Sequence, residues 1–266
     1  MFQTTNNPLL SKQKLSALLI VYNEIDHITD VLDNLSFADE IVVVDSFSTD
    51  GTVEEIKKRP EIKLYQRVFD DYTSQRNYAI EQAANDWILF IDADERVTPK
   101  LEKEIIETIA KPDANDAYFF YRKFMFCNKP LHFSGWQTDK IFRLFKKEKA
   151  SYVAERLVHE TLKVDGSIGK LKHKLIHYSY SDYESYKHKM LSYGRLRAKE
   201  LYNKGKTPTL FHRIIKPAYK FINHYIFRLG ILDGKRGYII CYLNALGVKE
   251  RYVELSKLQR KKPVNV

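Results

Sequence analysis

The chain has 266 residues, 44% of them hydrophobic and 13% aromatic, with only 10 Gly and 8 Pro, a composition that supports a packed core and excludes disordered or collagen-like arrays. Its 44 Lys and Arg exceed 34 Asp and Glu by +10, and the excess gathers after residue 170, interleaved with Tyr and Phe, so that half faces something anionic. Cys127 and Cys241 lie far apart without metal-ligand spacing, which argues against a disulfide framework; both are expected to be buried small residues in a reducing compartment. Met1 to Lys14 is polar and does not read as a signal peptide. No apolar run reaches the roughly 18–20 residues of a membrane span, so a cytoplasmic protein is expected.

Residues 15–22 read as a buried strand, followed by an amphipathic helix with apolar residues at 28, 31, 32 and 35. The unit repeats, with strands at 41–44 and 62–65, helices after each, a strand at 87–91 and a helix over 98–110 with Pro99 in its first turn. Strands alternating with helices predict right-handed crossovers and a mostly parallel, doubly wound α/β sheet. Strands near 117–124 and 140–145 predict an antiparallel extension, and basic helices are expected at 182–204, 209–229 and about 234–258. The expected organisation is one main domain over 1–180, in two parts at about 15–115 and about 116–180. A helical C-terminal region follows over 181–266.

In such sheets ligands gather at the carboxyl ends of the strands. Three of those ends are polar: Tyr22-Asn23-Glu24, Asp45-Ser46 and Asp92-Ala93-Asp94. Mg²⁺ and Mn²⁺ are often held by one or two carboxylates plus substrate phosphates, which makes Asp92 and Asp94 a candidate metal pair. Glu95 reads instead as a charge favourable to the dipole of the helix that follows. No G-x-G-x-x-G follows the first strand, and Gly205-Lys206-Thr207 lacks the Gly five residues earlier that a phosphate-cradling loop requires. Phosphate would have to be met by metal and basic side chains.

Val21-Tyr22-Asn23-Glu24, Val44 to Thr52, Gln75-Arg76-Asn77 and Asp92 to Glu95 together resemble the family 2 glycosyltransferases of GT-A fold. Val158-His159-Glu160, Leu175 to Tyr178 and Arg228 to Gly234 resemble a subgroup that includes lipopolysaccharide-core β-glucosyltransferases, and the likeness, which runs from about residue 15 to 250, implies a GT-A catalytic domain over 1–180 with its nucleotide-binding half at about 15–115 and its acceptor half at about 116–180. The resemblance implies that Tyr22, Asn23 and Glu24 line the base and ribose pocket of a UDP-sugar, that Asp45 hydrogen-bonds the base beside Ser46, and that Arg76 approaches the diphosphate. It implies Asp94 as metal ligand, with Asp92 on the ribose or a metal-bound water, and Glu160 as general base, Glu155 being the runner-up. His177 is open between a metal or diphosphate contact and a structural histidine. For Asp45 the residues alone also allow a simple turn cap, as for Ser48-Thr49-Asp50.

The basic aromatic stretch from Leu210 to Arg228 suits an interfacial helix on anionic lipid, which suggests a peripheral protein at the inner face of the cytoplasmic membrane acting on a glycan or lipid-linked acceptor. No nucleic-acid reading motif accompanies it. Two other functions compete: a sugar-phosphate nucleotidyltransferase, against which stands the missing Gly- and Arg/Lys-rich loop, and a non-catalytic glycan- or membrane-binding protein on the same scaffold.

Overall fold

A computed structural model of the chain describes residues 13–156, 159–180 and 182–260. It divides into two compact units, one spanning Met1–Arg122 and Lys140–Ile176, the other Lys123–Asp139 and His177–Val266.

The chain order opens with β1 (Leu15–Val21), α1 (Ile25–Asn34), β2 (Glu40–Asp45), α2 (Thr52–Lys57), β3 (Lys63–Gln66), α3 (Tyr72–Gln82) and β4 (Trp87–Phe90). It continues through β5 (Glu95–Arg96), α4 (Pro99–Ile109), β6 (Ala117–Phe126), β7 (Lys129–Pro130) and β8 (Lys140–Lys146). β9 (Ala150–Arg156) and β10 (His159–Val164) form a separate antiparallel pair, followed by β11 (Ile168–Lys170) and β12 (Leu175–Tyr180).

The main sheet runs β3-β2-β1-β4-β8-β6-β12-β5. β1 pairs in parallel with both β2 and β4, and β2 with β3, whereas β8 is antiparallel to β4 and to β6. The expected parallel sheet with an antiparallel extension is thus present. Its central strands are apolar on both faces: Leu18, Val42, Val44, Ile88 and Phe90 join one core cluster, and Leu19, Val43 and Leu89 the other. Burial on both sides is why these strands read as continuous hydrophobic runs rather than alternating ones. The chain winds from β1 outward to β3, then returns to the other side of β1 with β4. This reversal leaves a crevice at the carboxyl ends of β1 and β4.

Helix ends are set by local chemistry. Asp71 caps α3 by accepting from the Ser74 amide at 2.9 Å, and Thr98 caps α4 by accepting from the Leu101 amide at 3.2 Å, with Pro99 at the first helical position. α1 takes its cap from a distant loop, as the Ile25 amide donates to Asp50 Oδ2 at 3.1 Å.

In the second unit β6 turns into β7 through Cys127 and Asn128, both left-handed with φ of 49° and 55°. Positive φ at both central residues is the demand of a two-residue hairpin turn. Cys127 is therefore exposed, contrary to the burial expected for it, while Cys241 is buried. The helices are α5 (Tyr183–Asn203), α6 (Leu210–Ile222) and α7 (Gly234–Arg260). α5 crosses α7 closely, since a Cβ on Gly194 would lie 2.6 Å from the Gly247 carbonyl. The helix expected over 209–229 is instead broken: α6 runs past Pro217, widens into a π turn at Asn223–Phe227, and gives way to a 3-10 turn at Gly230–Asp233. Asp233 there accepts from the His132 and Phe133 amides, each at 2.9 Å.

Candidate active site

Two left-handed residues shape the strand ends. Asn23, just after β1, and Phe47, just after β2, have φ of 55° and 62°, an uncommon conformation for non-glycine residues that tends to collect at functional sites. The two loops are tied together: the Asn23 amide donates to Ser48 Oγ at 2.8 Å, and Asn23 Oδ1 accepts from the Thr49 amide at 2.8 Å. The Glu24 amide donates to Thr52 Oγ1 at 2.9 Å, so the turn chemistry expected of residues 48–50 in fact spans both loops.

Above them lies a cleft of about 390 Å³ lined by Tyr22, Glu24, Ser46, Phe69 and Tyr72 over Ile20 and Val21. Tyr22, Phe69 and Tyr72 are exposed there, and Phe69 meets Tyr72 edge-on at 5.0 Å. Flat apolar faces with a few polar groups suit a nucleobase and its ribose. Asp45 stands behind this wall. It is fully buried, accepting from the Ser48 amide at 3.0 Å, from Ser48 Oγ and from Gln66 Nε2 at 3.2 Å, so it caps the turn, and contact with a base requires one of these bonds to be exchanged.

Carboxylates crowd the crevice between β1 and β4. Glu24 is pushed up from 4.5 to about 7, first by burial and then by the charges of Asp94, Asp92, Asp50 and Asp26. Asp92 is neutralised from the other side. Arg76 reaches Oδ1 at 2.9 Å and Arg143 holds Oδ2. Asp94 is half-buried, and its charge is the largest of the four carboxylate contributions that raise Glu24, an excess of negative charge that a divalent ion there would relieve. Among the described residues no three His, Cys, Asp or Glu side chains converge as a complete metal cage. Asp92 and Asp94 offer carboxylate oxygens, the donor type that a hard divalent ion takes.

A second cleft, about 370 Å³, is lined by Arg76, Asp92, Arg122, Lys140, Arg143 and Tyr152 among others. Arg76 is buried, with its guanidinium 4.7 Å from the Phe90 ring centre and 5.1 Å from that of Tyr152. Glu95 lies beneath and corrects the expectation of a helix-dipole charge. It is fully buried, accepts from Arg143 at 3.0 Å, from Arg122 at 3.3 Å and from the Asp92 amide at 3.0 Å, and so fixes the turn that carries Asp92 and Asp94. Burial opposes the charge on Arg143, yet Asp92 and Glu95 carry its pKa well above the usual value.

Of the residues singled out from sequence, Tyr22, Glu24 and Ser46 line the first cleft and Arg76 and Asp92 the second, while Asn23 and Asp45 support the loops. His177 belongs to the second unit, its ring edge-on to Phe124 at 6.0 Å. The side chains of Glu160 and Glu155 lie outside the described residues. Phe69, Tyr72, Arg122, Lys140, Arg143 and Tyr152 escaped the sequence reading. One signal was present: Arg143 is a lone charge in the apolar run Ile141-Phe142-Arg143-Leu144-Phe145, and a charge is almost never buried there unless paired.

The family model described as Glycosyl transferase family 2 matches residues 16–159. The lipopolysaccharide core biosynthesis glycosyltransferase LpsC of Rhizobium meliloti (strain 1021) is 25% identical over 256 residues, covering 92% of this chain and 95% of that protein. An uncharacterized glycosyltransferase of Rickettsia felis is 30% identical over 261 residues, covering 93% of this chain and 90% of its own. Among solved structures, the mannosyltransferase PcManGT from Pyrobaculum calidifontis, in complex with GDP-Man and Mn²⁺, superposes with a TM-score of 0.53 at 14% identity, over 95% of this chain and 89% of that one.

Proposed function

Since the chain belongs to glycosyl transferase family 2 and has the GT-A fold, we propose that it moves a hexose, glucose in our reading, from a UDP-sugar to a hydroxyl of a lipopolysaccharide core or related cell-surface glycan, with inversion at the anomeric carbon. The observation that carries this reading is the convergence, at the carboxyl ends of β1, β2 and β4, of an aromatic cleft with a carboxylate-rich crevice. The similarity to LpsC supports the choice of acceptor class.

The base and ribose sit in the cleft of Tyr22, Glu24 and Ser46, and the diphosphate extends toward Asp94 and Arg76. Asp94 and Asp92 would hold a divalent cation, Mg²⁺ or Mn²⁺, which when bound would supply Lewis-acid neutralisation of the nucleoside diphosphate's charge. Glu160 takes the proton from the acceptor hydroxyl as its oxygen bonds to the anomeric carbon and the bond to the phosphate oxygen breaks; Glu155 is the alternative base. Work on a lipid-linked acceptor places the protein at the inner face of the cytoplasmic membrane, where no helix among the described residues is long and apolar enough to cross.

Isothermal titration with UDP tests the donor site. Binding is expected with Mn²⁺, reduced by EDTA, and reduced by at least about tenfold in Asp94→Ala, the scale of a lost charge-assisted contact. Failure of UDP, GDP and CDP alike to bind would remove the transferase reading.

A further inference from the structure

α6 is turned inside out. On an ordinary surface helix the apolar stripe faces the core. Here Leu210, Phe211, Ile214, Ile215, Tyr219 and Ile222 are all exposed, Leu210 by 72%. Their spacing of three and four residues puts them on one broad face. The polar face is the one that packs on the second unit. Lys216 donates to the Tyr252 hydroxyl of α7 at 3.1 Å and lies over its ring, His212 stands 5.1 Å from the same ring, Pro217 is buried, and His224 of the π turn meets the Ser134 carbonyl at 2.7 Å. Lys220 is desolvated enough, with Arg228 and Arg251 nearby, that its pKa is lowered. The apolar face continues beyond the helix through Ile226 and Phe227, 73% exposed, to Ile231 and Leu232. A Tyr-rich ladder flanks it, with Phe221 stacked on Tyr225 at 5.2 Å and Tyr238 parallel to Tyr242.

We propose that this face is a monolayer-insertion surface, and that its occupant is an anionic phospholipid leaflet. Charge chooses the occupant. From residue 201 to 232 the chain has not one Asp or Glu, and beside the inward-packed Lys216 and Lys220 it carries Lys204, Lys206, Arg213 and Arg228, all four exposed. A second copy docking through the same patch would set these cations against themselves, since a two-fold interface is self-complementary. An anionic leaflet supplies the missing negative charge while its acyl chains take the exposed Leu, Ile and Phe side chains, with Tyr rings at headgroup depth. The break at Asn223–Phe227 suits an element lying in the interface plane rather than crossing it. The inference deepens the proposed work on a lipid-linked acceptor, although its geometry stands without that reading.

The test is flotation of the full chain with vesicles of phosphatidylglycerol and phosphatidylethanolamine, phosphatidylcholine vesicles serving as the neutral control, alongside UDP titration on the same samples. Binding to the anionic vesicles is expected, with quenching of an Ile214→Trp variant by lipids brominated in the acyl chain. Phe211→Asp combined with Ile215→Asp should weaken partition at least about tenfold and leave UDP affinity and the thermal transition unchanged, because both side chains are exposed. Binding that 0.5 M (about ten times low-salt buffer) NaCl abolishes, without bromolipid quenching, would mean electrostatic adsorption alone and overturn insertion. A dimer in sedimentation velocity that the same double substitution dissolves would give the face to a second copy. Vesicle binding lost while UDP still binds sinks this proposal and spares the donor site; the converse sinks the donor site and spares this one.

Discussion

Replacing Glu95 by Gln removes one charge and almost no volume at the point on which the strand-end carboxylates rest. The side chain is fully buried and serves three donors: Arg143, Arg122 and the Asp92 amide. Breaking a buried ion pair by removing one partner costs about 3–5 kcal/mol, because the other charge stays buried with less to neutralise it. Gln retains an acceptor oxygen, which places the expected loss near 3 kcal/mol, a large share of a total stability of about 5–15 kcal/mol. Two units need not unfold together, so the probe must report on one of them. The chain has two tryptophans, Trp87 buried in β4 of the first unit and Trp136 in the second. Urea unfolding in a Trp136→Phe background follows the first unit through Trp87 alone. The midpoint should fall with the slope unchanged. Adding Arg143→Met to Glu95→Gln should recover part of the loss, since the stranded cation goes with it. A cost below about 1 kcal/mol, or strictly additive effects, would mean that solvent reaches the cluster and that Glu95 does not hold the turn.

Glu24→Gln should stabilise the ligand-free protein, and more so at high pH. Because folding raises this carboxyl from 4.5 to about 7, the folded state holds its proton more tightly, so stability is lost as pH rises through that window and stays lost above it. The full shift corresponds to at most about 3 kcal/mol, which solvent around a half-buried group reduces to about 1–2 kcal/mol at pH 8 (roughly neutral effect near pH 5); a gain equal at both pH values in thermal melts would refute the crowding of carboxylates. Tyr22→Ala should weaken UDP binding by about 5- to 100-fold, the worth of roughly 1–3 kcal/mol for a base-stacking ring, with an unchanged melt since the ring is exposed. Unaltered affinity in the titration would move the base out of this cleft.

Much of this fold could be read from the chain because its signals are local. Apolar strands buried on both faces, and Pro99 in the first turn of α4, declare themselves within a few residues. The polar ends of β1, β2 and β4 were legible for the same reason. What sequence concealed depends on pairing across distance. Glu95 looks like a helix charge until Arg122 and Arg143 are brought to it from β6 and β8. Phe69 and Tyr72 look like loop aromatics until the cleft forms beside Tyr22. The outward face of α6 is a question of orientation, which periodicity cannot answer: the same spacing serves a stripe turned in or out.

The interlock of Asn23 with Ser48 and Thr49 makes the loops after β1 and β2 one mechanical part. Each contains a left-handed non-glycine residue, and each supplies a hydrogen-bond partner that the other loop needs. A chimera that borrows only one of these loops from a relative of different nucleotide preference inherits half of a joint, and should lose the pocket rather than exchange it. With the base in the proposed cleft, nucleotide choice would be a two-loop trait, to be inherited or redesigned as a pair.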